Sequence, residues 1–267
     1  MTQIALTIAG SDSAGGAGIQ ADLKTFAMHQ VHGTSVLTCV TAQSTVGVVE
    51  AEPIKLSLIK AQIDVVAADL KPDAVKTGML FNSETITQVT QRLKHYALTP
   101  LVVDPVMVSR TGSKLIDDQA ITCLQEQLIP LATILTPNRY EAEILSGLKI
   151  DNLEQLKQAA IAIFHSSGAK VILAKGGSLA GTEQGMDIWY DGKSIKTLFN
   201  RTVTTQNNNG TGCTLSAAIC ANLALGQDLW QSVVNAKKYV TLALENSLNV
   251  GAGNGPLGHF FPLLKSD

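Results

Sequence analysis

Ile4-Ala5-Leu6-Thr7-Ile8-Ala9-Gly10-Ser11-Asp12 carries a short apolar run into a polar turn, and Ser13-Ala14-Gly15-Gly16-Ala17-Gly18 prolongs that turn with three more glycines. A stretch of helical length opens near Ile19, and a second apolar run follows at residues 35–40. Short apolar runs bounded by turn residues read as buried strands, and strands alternating with helical stretches read as βαβ units. The same rhythm continues outward, with strands expected at 74–76, 101–104, 133–135 and 171–175. It predicts a mostly parallel α/β sheet with helices on both faces, its ligands gathered beyond the carboxyl ends of the strands.

The candidate motifs fall at those ends. Gly10-Ser11-Asp12 follows the first strand, Gln43 ends the second, Thr77-Gly78-Met79 follows the third and Asp104-Pro105 the fourth. Residues 185–199 predict a hairpin turning at Asp191-Gly192, a small antiparallel edge. A helix rich in small residues is expected at 214–225 and another from Asp228 to about Asn246. The glycine- and asparagine-rich stretch 249–258 reads as turn chemistry, and no repeat or linker divides the chain, so residues 1–267 read as a single domain.

Composition narrows the function. Of 267 residues, 45% are hydrophobic and 16% charged, which suits a globular enzyme with a large core. A formal charge of −2 and a pI near 6.2 supply no basic stripe for a phosphodiester backbone, so no nucleic-acid partner is expected. No apolar run reaches the roughly 18 residues of a membrane span, and the N-terminus has no basic leader, which points to the cytoplasm. Cys39, Cys123, Cys213 and Cys220 are scattered without a CxxC pair, so neither disulfides nor zinc are expected.

The strongest local signal is Asn207-Asn208-Asn209-Gly210-Thr211-Gly212-Cys213-Thr214. Glycines at a helix start let backbone N–H groups converge on an anion, and in phosphoryl transfer such a nest faces the charge between the β- and γ-phosphates. Gly210, Thr211 and Gly212 are therefore candidate catalytic positions, with Cys213 beside the transferring group. A thiol at a helix N-terminus can have a lowered pKa and accept a hydroxyl proton; the competing reading is a small buried hydrophobe.

Gly16-Ala17-Gly18-Ile19-Gln20-Ala21 also fits G-x-G-x-x-A, so a nicotinamide-dinucleotide oxidoreductase is the alternative from another class. Against it, six residues separate the strand from Gly16, and Gln43-Ser44 stands where an acidic residue should close the second strand. A Walker A loop is absent. Asp104, Asn138 with Glu141, and Lys175 lie at strand ends, where carboxylates suit Mg²⁺ and a lysine suits phosphate; for Asn138 and Glu141, helix capping is the alternative. The five histidines show no ligand spacing.

Taken together, Ala9-Gly10-Ser11-Asp12 through Lys24, Thr41-Ala42-Gln43, Val75-Lys76-Thr77-Gly78-Met79, Val102-Val103-Asp104-Pro105-Val106-Met107, Thr136-Pro137-Asn138 with Glu141, Lys175-Gly176-Gly177, Gly210-Thr211-Gly212-Cys213-Thr214 and Gly255-Pro256-Leu257 resemble the hydroxymethylpyrimidine/phosphomethylpyrimidine kinases of thiamine biosynthesis. The resemblance spans nearly the whole chain. It implies a ribokinase-like three-layer sandwich, a homodimer, and two Mg-ATP-dependent steps, from 4-amino-5-hydroxymethyl-2-methylpyrimidine to its monophosphate and then its diphosphate. It implies Gly10, Asp22, Gln43, Met79 and Val106 around the pyrimidine, and Cys213 at the hydroxymethyl group. ATP would meet Asn138, Lys175, Thr211 and Gly212, with Mg²⁺ at Asp104 and Glu141.

A Gln43 amide can donate to a ring nitrogen while accepting from an exocyclic amine. Relatives that phosphorylate pyridoxal or pyridoxine typically carry another residue there, so Gln43 favours the pyrimidine. This chain departs from the family at Asn209 and Asn254, where histidines are common.

Overall fold

Leu6 and Ile8 of the first strand turn to one face of a sheet and Ala5 to the other, following the two-residue period of a strand. Both faces are buried, which is why such strands read as continuous apolar runs. The computed structural model of the chain describes residues 2–108 and 114–264. Nine strands, β1 (Ile4–Asp12), β2 (His32–Gln43), β3 (Val48–Pro53), β4 (Ala74–Thr77), β5 (Leu101–Val103), β6 (Ile134–Leu135), β7 (Ile172–Ala174), β8 (Asp187–Tyr190) and β9 (Ile195–Leu198), form one sheet in the order β3-β2-β1-β4-β5-β6-β7-β8-β9. From β2 to β7 all pairs are parallel, while β3, β8 and β9 pair antiparallel.

The helices cover both faces. Against one lie α2 (Leu56–Asp69), α3 (Ser83–His95), α4 (Asp118–Cys123), α5 (Arg139–Ser146) and α6 (Leu153–Ser167), through residues such as Ile63, Val89, Ile121, Ala142 and Ile163. Against the other lie α1 (Gly18–Met28), α7 (Thr211–Ala224) and α8 (Leu229–Glu245), through Phe26, Ala217, Ala221, Val233 and Ala236. Fully burying one Leu, Ile or Phe contributes ~1.5–3 kcal/mol, so these two layers hold the fold. The architecture is the expected α/β sandwich. Among the described residues, no helix is long and apolar enough to cross a membrane.

Three features differ from the sequence reading. Antiparallel strands close both edges of the sheet, because β3 is a strand whose valines and glutamates are largely exposed and carry no burial pattern. β2 is longer than residues 35–40. Helix α7 starts at Thr211 and not at 214, since Gly210 takes the left-handed N-cap conformation.

That start differs from most of the other helices, α1 and α2 excepted. Asn82, Asp117, Asn138, Asn152 and Asp228 cap α3, α4, α5, α6 and α8, each with a side-chain oxygen accepting a backbone N–H. Helix α7 has no side-chain cap. Its first-turn N–H groups lie beyond the parallel strands' carboxyl ends, where this topology collects ligands.

Candidate active site

Gly210 sits at φ +83°, and a Cβ there would fall 1.8 Å from the Gly16 carbonyl oxygen. Only glycine satisfies both conditions, and the close approach packs the Gly10–Gly18 loop against the start of α7. The loop is organised from within by Asp12. Its carboxylate accepts from the N–H groups of Ala14 (2.9 Å), Gly16 (3.0 Å) and Ala17 (2.8 Å). The donors that a dinucleotide pyrophosphate would need at the start of α1 are thus taken by the chain's own carboxylate, which removes the basis for the oxidoreductase alternative.

A cleft of about 470 Å³ opens in front of α7, with Asn138, Lys175, Thr211, Gly212 and Lys237 on its wall and Leu244 among its apolar lining. All four residues expected at ATP are therefore together. Lys175 follows β7 directly and its N–H donates to the Pro137 carbonyl at 2.8 Å, which fixes it beside Asn138. Its Nζ lies 3.0 Å from Asp104 Oδ1, and about 3.2 Å from where a Cβ on Gly212 would stand. Asp104 also accepts from Ser216 Oγ at 3.2 Å and from Thr136 Oγ1 at 3.4 Å. Burial opposes the charge of Lys175, yet Asp104 and then Glu141 outweigh it and hold its pKa above the ordinary lysine value.

Asn138 and Glu141 close a capping box. Asn138 Oδ1 accepts from the Glu141 N–H (3.0 Å) and Glu141 Oε2 from the Asn138 N–H (2.7 Å). The capping alternative is therefore correct for both, and it leaves the Glu141 carboxyl buried near Asp104. Burial pushes the Glu141 pKa up to about 8, with Lys175 pulling it down and Asp104 raising it further. A buried carboxyl this short of positive charge suits a divalent cation. Among the described residues no cluster of three or more candidate ligands exists, so a divalent ion at Asp104 and Glu141 would have to keep most of its waters or share phosphate oxygens.

On the acceptor side, Gly10 and Met79 meet: a Cβ on Gly10 would lie 3.0 Å from Met79 Cε and 2.7 Å from Cys39 Sγ. Gly18 is at φ +53°, packed on the Gly10 carbonyl, and its N–H donates to Cys213. Gln43, partly exposed at the end of β2, exchanges two 2.8 Å hydrogen bonds with Ser13: its carbonyl accepts from the Ser13 hydroxyl, which accepts from its N–H. Val106 is partly exposed just after Asp104. These residues sit on neighbouring strand ends, in the order Gln43, Gly10, Met79, Val106 across the sheet.

Two expectations need correction. Asp22 is fully buried and engaged within the protein: its carboxylate is 2.6 Å from Lys76 Nζ and accepts from Thr7 Oγ1 at 2.6 Å. Cys213 is partly buried where the other three cysteines are fully buried, but its pKa is not lowered. Burial pushes it up to about 11, despite the pull of Lys76 and the Gly18 N–H, with Asp22 and Asp104 raising it too. The helix terminus alone does not overcome desolvation of a thiolate.

Sequence reasoning did not find Lys76, Thr136, Ser216, Asp187 or His259. Asp187 accepts from the Gly176 N–H (2.9 Å) and pairs with Lys237 (2.5 Å), steadying the turn after Lys175. His259 Nε2 lies 2.9 Å from Thr214 Oγ1, which in turn donates to the Gly210 carbonyl. Only Lys76 and Asp187 lie in runs where a lone charge among apolar residues could have marked them.

A parallel sheet covered by helices on both faces, with an uncapped helix start and a lysine–carboxylate pair at its carboxyl edge, is the architecture of a ribokinase-like small-molecule kinase. A family model described as phosphomethylpyrimidine kinase matches residues 12–258, and the chain belongs to that family. It is 52% identical over 260 residues, 97% of this chain and 98% of the relative, to a hydroxymethylpyrimidine/phosphomethylpyrimidine kinase of Synechococcus elongatus. Among solved structures it is similar to a Bacillus subtilis pyridoxal kinase in complex with ADP (TM-score 0.93, 36% identity, 99% of this chain and 100% of that one). It is also similar to a phosphomethylpyrimidine kinase of Clostridium difficile (TM-score 0.80, 43% identity, 90% and 98%).

The site yields two predictions. Gly210→Ala forces a side chain into a left-handed, blocked position and lowers kcat at least about tenfold. Gly147→Ala, also left-handed at φ +70° but with open space around it, costs about 1 kcal/mol of stability in urea melts and leaves kcat unchanged. Glu141, whose folded pKa of about 8 exceeds its unfolded value, binds a proton in the folded state that the unfolded state releases between about pH 4.5 and 8. Its contribution to stability therefore falls as pH rises through that window. Metal-free Glu141→Gln gains stability relative to wild type from pH 5 to pH 8, as thermal melts at both values will show.

Proposed function

We propose that this protein transfers the γ-phosphoryl group of ATP to 4-amino-5-hydroxymethyl-2-methylpyrimidine, and then a second phosphoryl to the resulting monophosphate, in thiamine biosynthesis. The observation that carries this reading is the convergence of the α7 start and Lys175, itself paired with the buried Asp104, on one cleft in a chain that belongs to the phosphomethylpyrimidine kinase family. Gln43 and Gly10, Met79 and Val106 form the pyrimidine pocket. Asn138, Lys175, Thr211 and Gly212 hold the nucleotide, and Asp22 acts from behind the pocket wall.

Transfer of a phosphoryl group through a loose transition state depends mainly on positioning and charge stabilisation. The N–H groups of Gly210, Thr211 and Gly212 and the Lys175 ammonium face the oxygens on which charge builds. Cys213 lies at the acceptor hydroxyl. Asp104 and Glu141 would hold Mg²⁺ through its waters; when bound, it neutralises charge on the β- and γ-phosphates. We read residues 1–267 as one cytoplasmic kinase domain. We also read it as a homodimer, since β3 and the turn before it expose Val46, Val48 and Val49 on one sheet edge.

Pyridoxal phosphorylation is the second reading, favoured by the TM-score of 0.93 to a pyridoxal kinase. Incubation with Mg-ATP and either acceptor, followed by mass spectrometry, separates the two: pyrimidine monophosphate appears first and diphosphate after it. Phosphorylated pyridoxal alone overturns the role of Gln43. Cys213→Ala slows the first step at least about tenfold and the second by less, because only the first acceptor must lose a hydroxyl proton.

A further inference from the structure

Residues 249–258, rich in glycine and asparagine, do more than turn the chain. The root of this loop is fixed beside the start of α7. The Gly255 N–H donates to Asn207 Oδ1 at 3.0 Å, the Gly255 carbonyl accepts from the Asn209 N–H at 3.1 Å, and the Leu248 N–H donates to the Pro256 carbonyl at 2.9 Å. The tip reaches the turn between β2 and β3. The Asn254 N–H donates to the Thr45 carbonyl at 2.9 Å and the Gly253 N–H to Thr45 Oγ1 at 3.1 Å, the latter across 208 residues of chain. A Cβ on Gly251 would overlap the Thr45 hydroxyl and one on Gly253 the Thr45 carbonyl oxygen, so only glycines let the two segments come this close.

Thr45 stands just beyond Gln43, in a turn closed by the Ser44 N–H on the Gly47 carbonyl at 3.0 Å. Gln43 is tied on its other side to Ser13 of the Gly10–Gly18 loop. Ser13 to Gln43, Thr45 to Gly253 and Asn254, and Gly255 to Asn207 and Asn209 thus make one connected rim that runs into Gly210. A Cβ on Gly16 would lie 2.7 Å from Asn209 Nδ2, which closes the ring. Core packing does not require the clasp at Thr45, since residues 251–254, Ser44, Val46 and Gly47 are exposed. We propose that Thr45, gripped by the tip of this loop, is a positioning residue for the acceptor: it acts through Gln43 and holds that end of β2 at a fixed distance from the start of α7. The inference rests on the reading that Gln43 meets the acceptor ring. Transfer needs the acceptor hydroxyl held against the nucleotide, and a displacement of about 1 Å can cost about a hundredfold in rate.

Gly253→Ala sets a methyl group against the Thr45 carbonyl and parts the clasp, whereas Gly47→Ala in the same turn meets open space and leaves it intact. In Gly253→Ala the KM for the acceptor rises at least about tenfold, while the KM for ATP stays within about twofold of wild type because the Gly255 root beside α7 is untouched. Thr45→Val, which keeps the shape and removes the hydroxyl, raises the acceptor KM about threefold. Gly47→Ala matches wild type. Hydrogen exchange reads the clasp without turnover: the amides of residues 253 and 254 exchange faster in Gly253→Ala, and in wild type they slow when the acceptor is added with Mg-ADP.

The measurements are made with the pyrimidine and with pyridoxal. A selective rise in acceptor KM for pyridoxal, in a protein that does not phosphorylate the pyrimidine, upholds the clasp and overturns the substrate reading. Pyrimidine phosphorylation with one acceptor KM shared by wild type, Gly253→Ala and Thr45→Val upholds the substrate reading and overturns the clasp. An equal rise in both KM values with a lowered melting temperature marks a structural role only and also overturns it. Should Gly253→Ala fail to fold, Thr45→Val decides, by a selective rise in acceptor KM or by none. Should neither acceptor be phosphorylated, exchange at residues 253 and 254 decides: slowing by either acceptor upholds the clasp, and no response to both overturns it.

Discussion

The first turn of α7 is left without a side-chain cap. A helix N-terminus with unfilled N–H groups carries partial positive charge, and within a sheet's carboxyl edge it becomes an anion site. Gly210 makes that start possible by taking a left-handed conformation against the Gly16 carbonyl. The apolar small residues of α7, among them Ala217, Ala218 and Ala221, let the helix lie close between sheet and α8. Core packing therefore sets where the phosphate donors stand.

Charge is then layered around this end. In front lies Asp104–Lys175 with Glu141 behind it, two carboxyls to one ammonium, and the Glu141 carboxyl keeps its proton at neutral pH. Behind lies Asp22–Lys76, sealed from solvent and balanced within itself. Burial strengthens each interaction and penalises each unpaired charge, so the groups hold one another's protonation states. Cys213 sits between the layers, and burial keeps it a thiol at neutral pH in the absence of substrates. Its chemistry depends on its neighbours more than on the helix that carries it.

Much of this was legible in the chain. Parallel strands buried on both faces show as apolar runs that stop at polar residues, so the position of Gly10, Gln43, Met79, Asp104 and Lys175 at or just past strand ends was readable. The Gly-Thr-Gly-Cys run marked the uncapped start of α7, because glycines there admit the left-handed turn at Gly210. What escaped was set by contacts distant in sequence. Asp22 looks like any polar residue of an amphipathic helix until Lys76, 54 residues on, is placed against it. Cys213 has the helix position of an acidified thiol, but desolvation, invisible in a sequence, reverses the sign. Strand β3, exposed at an edge, has no burial period to read.

In the proposed mechanism the open end of α7, with Lys175, receives charge as the phosphoryl group moves. Calorimetric titration of Mg-ADP with the pyrimidine, in the presence and absence of aluminium fluoride, compares a mimic of the transferring group with the product nucleotide. In the wild-type protein aluminium fluoride tightens ADP binding, whereas Lys175→Met binds ADP yet loses most of that gain. Retention of the full gain in Lys175→Met would contradict the account and move the site of charge stabilisation elsewhere.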